Sequence, residues 1–394
     1  MSTRLRSLDV LRGATVALMI LVNNPGSWHH LYSPLDHAGW HGCTPTDLVF
    51  PFFLFAVGNA LAIVMPGLRQ GTSAAFWAKV ARRTAVIFAL GLLLNAAPFV
   101  RWDAAGQLVM RDWEQLRIMG VLQRIALCWG AAAVIVWLGG LHGALMAVAT
   151  LLLGYWALCL GWGEAADPYG LMGWFGTEVD RAILGSSHLY RGEGIAFDPE
   201  GLASTPPAIA QVLIGWWVGW SLQAGGQAAG RGPDADTLVR LFIAALAMVA
   251  AAYVWQLAMP LNKKIWTSSY VLLTSGLATA TLAALAQWLD RDAGPAAAAR
   301  GVVRFCEVFG QNALFVFVMS GLVPRLLLLV RWDDGVDAAG LPRFITPLPW
   351  LYRSVFADIG RDPRFGSLLF AVANLAAYWA LAAWLDRRQI HIRV

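Results

Sequence analysis

The sequence predicts an all-α integral membrane protein, a bundle of about ten transmembrane helices with two long outer-side loops. Three observations carry that reading. Of the 394 residues, 58% are hydrophobic and 13% charged, where an ordinary soluble domain carries about 25% charge. Apolar runs long enough to cross about 30 Å of hydrocarbon recur along the whole chain. The cations fall between these runs, as topology determinants do. A mean hydropathy of +0.57 together with 20 Trp and 39 Gly excludes disordered, collagenous and disulfide-stapled classes. The net charge of +5 is dispersed and builds no basic face or arm, so the expected partner is the lipid bilayer and no nucleic acid. Cys43, Cys128, Cys159 and Cys306 have no CxxC spacing, which argues against a redox pair or a structural zinc site.

Taken in order, the first run covers 8–24, behind Arg4 and Arg6. No small-residue cleavage site follows, so it is expected to stay in the mature protein. Asp9 and Arg12, three residues apart, are expected to pair on one helix face. The loop Asn23–Thr46 contains no Lys or Arg, which places the N-terminus in the cytoplasm and this loop outside. Spans at 46–65 and 80–98 then put Arg69, Lys79, Arg82 and Arg83 inside. Spans at 116–138 and 141–162 follow, with Arg124 expected in the inner half of the fourth. The remaining runs are 206–224, 238–259, 267–289, 304–330 and 366–386, which makes ten and returns Arg387, Arg388 and Arg393 to the cytoplasm. The stretches 224–235 and 290–300 are small-residue linkers, and 344–358, with Pro347, Pro349 and Arg353, suits an interfacial or re-entrant piece. The connections 163–205 and 331–365 exceed what a bundle needs, and loops of that length usually serve function. No internal repeat is visible, and residues 1–394 read as one domain.

The densest polar cluster lies in the first outer loop and the entry to span two, where four of the seven histidines fall. Histidine serves as base or nucleophile near neutral pH. Asp47 sits at a helix start, where capping fixes a carboxylate. Three readings compete on spacing alone: catalysis, a simple cap with an interfacial histidine fringe, and zinc held by His29, His30, His37, His41 and Cys43, which matches no standard spacing. A second polar cluster, Asn262, Lys263, Lys264, Trp266, Ser268, Ser269 and Tyr270, opens span eight. Arg124 inside an apolar run is a candidate functional residue, because charge at membrane depth is costly; an intramembrane ion pair or a snorkelled side chain is the alternative.

The runs RLRSLDVLRG (4–13), HAGWHGCTPTDLVFPFFLF (37–55), GVLQRI (120–125), HLYR (188–191), FDPEGL (197–202), MPLNKKIWTSSYVLLTSG (259–276) and FGQNAL (310–315) follow one another along nearly the whole chain. In these blocks the chain resembles the heparan-alpha-glucosaminide N-acetyltransferase family, and the 37–55 run is the most specific of them. The resemblance implies a membrane-bound acetyltransferase that moves an acetyl group from cytosolic acetyl-CoA to the amine of a glucosamine-type sugar on the far side of the membrane. It implies His37 as the active-site histidine, acting as base or acetyl carrier, with Asn23 and Asp47 lining the same site. His41 and the Asn24-Pro25 pair depart from the family's pattern and bear on acceptor choice. Arg82, Arg83 and Arg124 are candidates for the phosphates of acetyl-CoA, since guanidinium groups bind phosphate bidentately. Trp40, His188, Asp198, Glu200, Asn262, Lys264 and Ser268 are candidates for the acceptor sugar. No metal is expected, and a homodimer is expected by analogy with the animal relatives. A bacterial inner membrane is the expected location, with a periplasmic amino sugar or short glycan as acceptor. Acyl transfer to another glycan or cell-wall acceptor, or amino-sugar transport, are the competing functions.

Overall fold

The computed structural model describes residues 5–103, 105–226, 232–291, 299–336, 340 and 342–392. Arg4, Arg393 and the middles of both small-residue linkers lie outside these residues. The architecture is a helical bundle. The chain runs α1 (Arg6–Asn23), α2 (Val49–Arg69), α3 (Ser73–Ala96), a hairpin of β1 (Val100–Trp102) and β2 (Leu108–Met110), then α4 (Val121–Trp162), α5 (Gly176–Leu184) and α6 (Thr205–Gly226). It continues through α7 (Ala235–Trp255), α8 (Ser268–Ala286), α9 (Arg300–Gln311), α10 (Ala313–Leu327), a second hairpin β3 (Trp332–Val336) and β4 (Pro342–Ile345), α11 (Pro347–Leu351) and α12 (Pro363–Arg387).

Among the described residues, five helical segments are long and apolar enough to cross a membrane alone: Pro45–Arg69, α4, α7, Ser268–Arg291 and α12. The pair α9 and α10, bent by 78° at Asn312, makes up to a sixth. Helices α1 and α3 each carry three or more charges within any comparable window, and Trp and Gln hold down the hydropathy of α6. The run at 304–330, expected as one span, is broken into α9 and α10. Hydropathy is continuous across the break, but Asn312 donates to the Ile390 carbonyl at 3.0 Å and accepts from the Ile392 amide at 2.9 Å, so the C-terminal tail holds the bend. The 344–358 region is α11 and one π turn, Tyr352–Phe356, five residues each. At about 1.5 Å per residue these are too short to cross.

Helix α4 has 42 residues with a non-helical Gly140 at φ +58° inside it. Arg124, near its start, lies over the Trp266 ring at 5.3 Å, while Tyr155 hydrogen-bonds the carbonyl of the adjacent Ile265. A straight helix would hold residues 31 positions apart at about 46 Å. The two legs, 121–139 and 141–162, therefore fold back on each other at Gly140. A left-handed backbone of this kind is cheap only for glycine.

Small residues let the central helices touch. A Cβ at Gly58 of α2 would lie 2.1 Å from the Val212 carbonyl oxygen of α6, and one at Gly215 of α6 would lie 2.2 Å from that of Phe55. This is the close backbone approach by which membrane helices gain packing energy where apolar burial supplies none. The long 163–204 connection folds into a cap with its own aromatic core of Tyr169, Trp174, Phe175 and Phe197, packed on Tyr155 and Cys159 of α4. The expected Asp9–Arg12 pair is present. The α1 N-terminus is capped by Asp290, which accepts from the Arg6 amide at 2.7 Å and thereby places an anion at the positive end of the helix. Leu5 and Ile392 line one cavity, so both ends of the described chain meet at one end of the bundle.

Candidate active site

The sequence Thr44-Pro45-Thr46-Asp47 builds the core of the site. Pro45 starts a 3-10 turn, Pro45–Leu48, and Thr44 caps it. Asp47 closes the capping box, its Oδ2 accepting from the Thr44 amide at 3.1 Å and from Thr44 Oγ1 at 3.1 Å. The Ala38 amide donates to the same oxygen at 3.1 Å. Tyr270 of α8 donates its hydroxyl to the Asp47 carbonyl at 2.5 Å. The carboxylate is buried, with 1% exposure. It is both a cap and something more, because its other oxygen, Oδ1, stands 2.6 Å from Nδ1 of His37.

Lys263 completes the group. Its Nζ lies 3.3 Å from Asp47 Oδ1 and 3.1 Å from His37 Nδ1. An ionised carboxylate only accepts and an ammonium only donates. Asp47 Oδ1 thus receives both the ammonium and Nδ1–H, so in the neutral imidazole the lone pair sits on Nε2. The His37 side chain is 40% exposed against 1% for Asp47. Burial lowers the Lys263 ammonium from its ordinary value, opposed by Asp47, its own hydrogen bond to that carboxylate, and the field of Glu200. The arrangement is a half-exposed imidazole whose tautomer is fixed from behind by a buried anion, with a cation beside it. That is the arrangement of a general base or nucleophile.

With this geometry in view, residues 4–176 match the family described as heparan-alpha-glucosaminide N-acetyltransferase, catalytic. The heparan-alpha-glucosaminide N-acetyltransferase of Homo sapiens is 27% identical over 376 residues, covering 80% of this chain and 52% of its own length. This chain is similar to the heparan-alpha-glucosaminide N-acetyltransferases over part of its length. The Mus musculus protein of the same name is 25% identical over 327 residues, covering 70% of this chain and 47% of its own length. The chain spans about half the length of these curated relatives. The matched region 4–176 holds His37, Asp47 and Asn23, whereas Lys263 comes from a turn beyond it.

That turn is shaped by Asn262, whose buried Oδ1 accepts from the Ile265 amide at 3.0 Å. Trp266 holds φ +54°, an uncommon conformation for a bulky residue, and its ring packs edge-on against Phe50 at 5.0 Å and Tyr270 at 5.5 Å. Ser268, fully buried at the start of α8, donates to the Leu152 carbonyl at 2.8 Å. His41 Nδ1 accepts from Asn262 Nδ2 at 3.4 Å; burial lowers this imidazole, opposed by Asp167.

The cap closes over one side. Trp40 Nε1 donates to the Tyr169 carbonyl at 2.9 Å, its ring meets Phe197 at 5.6 Å, and Lys264 Nζ stands 5.6 Å from its centre while pairing with Glu193 at 2.7 Å. Arg117 grips Asp198 through two bonds of 2.9 and 2.6 Å and also binds Glu200. His188 Nδ1 donates to the Leu116 carbonyl at 2.7 Å.

Asn23 stands apart. It ends α1, exposed, and lines a cavity of about 640 Å³ that includes Arg117 but not His37. The three arginines are also separated. Arg83 lies over Trp129 at 4.5 Å and lines a cavity of about 520 Å³ with Arg12 and His391, at the end where the termini meet. Arg82 is exposed beside it. Arg124 is a correction, because it lies not in the inner half of its span but near the α4 start, fully buried beneath the cap. There Nη2 donates to the Gly201 carbonyl at 2.8 Å and to Ser204. The reason is direction: α4 enters from the site end, so position 124 is only one turn deep.

Reasoning from sequence named Lys263 only as a member of the second polar cluster and chose Lys264 as the site residue, and it missed Arg117. Lys263 and Lys264 are adjacent in an irregular turn, where no periodicity distinguishes the one facing His37. Arg117 and Asp198 are 81 positions apart, and no spacing signals such a pair. Among the described residues no three of His, Cys, Asp and Glu gather as a ligand set.

Proposed function

We propose that this protein is a membrane-bound acetyltransferase that moves an acetyl group from cytosolic acetyl-CoA to the amine of a glucosamine-type sugar on the periplasmic side of a bacterial inner membrane. The observation that carries this reading is the His37–Asp47–Lys263 group at the loop end of the bundle, opposite the end where the termini meet. In this reading all ten apolar runs cross, with α4 counted as two legs and the α9–α10 pair as one, and both termini are cytoplasmic. The whole chain acts as one domain and associates as a homodimer.

The donor enters at the cytoplasmic end. The 520 Å³ cavity there has an apolar shaft of Phe53, Ile87 and Ile125 with Arg12, Arg83 and His391 around it, a donor set that fits a phosphate-bearing head on an apolar arm. Helices α1, α3, α4 and α10 line this cavity and also the 640 Å³ cavity at the opposite end. Phe53 and Phe317, 6.1 Å apart, stand between the two. This stacking supports a path for the acetyl arm through the bundle.

At the outer end the sugar amine attacks the thioester carbonyl carbon, the carbon–sulfur bond breaks, and His37 Nε2 takes the amine proton and returns it to the departing thiolate. In the alternative route Nε2 itself takes the acetyl group and passes it to the amine. Asp47 holds the reactive tautomer in both routes and stabilises the imidazolium of the first. Label exchange between acetyl-CoA and free CoA without any acceptor separates the two, since only the acetyl-histidine route allows it. The deciding test is acetyl transfer by purified protein from labelled acetyl-CoA to glucosamine oligomers, with His37→Ala alongside. Product from the wild type and none from the variant supports the proposal; equal product from both contradicts it.

A further inference from the structure

The hairpin β1–β2 and the end of α10 form a cavity of about 490 Å³ that the transfer chemistry above does not use. It shares only Leu328 with the 640 Å³ cavity. Two guanidinium groups line it, Arg101 of β1 and Arg111 directly after β2. Among the described residues Arg101 makes no side-chain hydrogen bond and no ion pair, and Arg111 makes a single bond, Nη1 donating to the Ala97 carbonyl at 3.3 Å. The one carboxylate in the lining is already committed to a local turn. Asp112 Oδ1 accepts from the Glu114 amide and Oδ2 from Gln115 Nε2, each at 2.9 Å. Gln115, also in the lining, keeps its side-chain oxygen as an acceptor. The walls are fixed. Trp102 Nε1 donates to the Leu329 carbonyl at 3.3 Å, and the Arg331 guanidinium lies over the rings of Trp102 and Phe344 at 3.9 and 4.0 Å, which ties the first hairpin to the second.

The surroundings set the depth of this cavity in a bilayer. Trp102, Trp113, Trp332 and Trp350 sit on and beside the two hairpins, as tryptophans do at the boundary between hydrocarbon and water. Leu326, Leu328 and Val330 are exposed along the end of α10 and the turn after it, and Leu108 and Met110 on β2. Two guanidinium groups without a carboxylate partner, at head-group depth and beside exposed aliphatic side chains, match a phosphodiester that carries acyl chains. We propose that this cavity binds the head group of an anionic phospholipid, with Arg101 and Arg111 on the phosphodiester, the Gln115 oxygen accepting from a head-group hydroxyl, and an acyl chain lying along the exposed side chains of α10. A zwitterionic lipid brings an ammonium toward the same two cations and binds more weakly. The site does not rest on the acetyl-transfer reading and stands even if the protein transfers no acetyl group.

The test is native mass spectrometry of the full chain in detergent, titrated with phosphatidylglycerol or phosphatidylcholine, with glycerol 3-phosphate as a soluble competitor. The wild type binds phosphatidylglycerol at least about tenfold tighter than phosphatidylcholine. Arg101→Gln and Arg111→Gln each remove most of that difference. Arg343→Gln, which changes an exposed arginine outside the cavity that pairs with Asp334, leaves it intact. Millimolar glycerol 3-phosphate does not displace the lipid, because it lacks the acyl chains. Equal affinity of the wild type for the two lipids overturns the proposal. So does an equal loss on Arg343→Gln, because the lipid then follows the charge of the whole face and not the cavity. Displacement by glycerol 3-phosphate overturns it as well, since the cavity is then a site for a soluble phosphate ester. If Arg111→Gln fails to fold, Arg101→Gln decides alone, because the Arg101 side chain has no hydrogen bond or ion pair to lose among the described residues.

Discussion

Asp47 offers two oxygens to five donors: the Ala38 and Thr44 amides and the Thr44 hydroxyl on one, His37 and Lys263 on the other. Replacing it with Asn keeps the shape but removes the acceptor that selects the Nδ1–H tautomer, so Asp47→Asn should lower kcat by about 10²-fold or more with little change in acceptor KM. Lys263→Met should cut kcat less, and Lys263→Arg should restore part of it; a steady-state kcat and KM comparison checks both. The cap role of Asp47 was legible in the sequence, since Thr-Pro-Thr-Asp spells a helix start, and the histidine-rich loop pointed to the candidate site. Which lysine faces His37 was not legible, because an irregular turn held by Asn262 decides it. Asp180 gives a separate test. Burial in the cap pushes its carboxyl up to about 6, opposed by the Ala203 amide at 2.9 Å and the charge of Arg124. A carboxyl raised in the folded state costs stability as pH rises above its unfolded value of 3.8, with the full cost present above about 6. Asp180→Asn, which keeps the acceptor, should therefore raise stability by about 1–3 kcal/mol at pH 8 and by almost nothing below pH 4. Thermal denaturation in detergent at the two pH values checks this.

Single elements show why hydropathy reads some of this fold and misses the rest. The two legs of α4 were legible as separate apolar runs on either side of Gly139-Gly140, where the chain turns back. Gly140→Ala should cost about 1–3 kcal/mol, because φ +58° with ψ −145° is a region other residues avoid. The bend between α9 and α10 was hidden, since a polar contact from the C-terminal tail makes it rather than any Pro or Gly at the break. The hairpin β1–β2 was also hidden, because strands of three residues are too short to show alternation. The α2–α6 contact rests on missing side chains. Gly58→Leu has no room against the Val212 carbonyl and should abolish folded protein, as measured by monodisperse yield in detergent.

For the whole molecule, composition alone separated a membrane bundle from soluble classes, and cation placement gave an orientation that the proposed chemistry needs. That orientation can be checked with single introduced cysteines in a Cys43→Ser background. His29→Cys, in the exposed first loop, should react with a membrane-impermeant maleimide added outside intact cells, and Gly71→Cys, in the exposed turn after α2, should react only after permeabilisation. The central claim joins this orientation to the site: the donor is used on one side and the acceptor on the other. Its most direct test is purified protein in sealed vesicles, sorted for one orientation, with labelled acetyl-CoA on the side of the termini and a glucosamine oligomer on the side of His37. Acetylated oligomer on the His37 side, absent with His37→Ala, is the predicted result. Product formed only when both substrates share the side of the termini would contradict it.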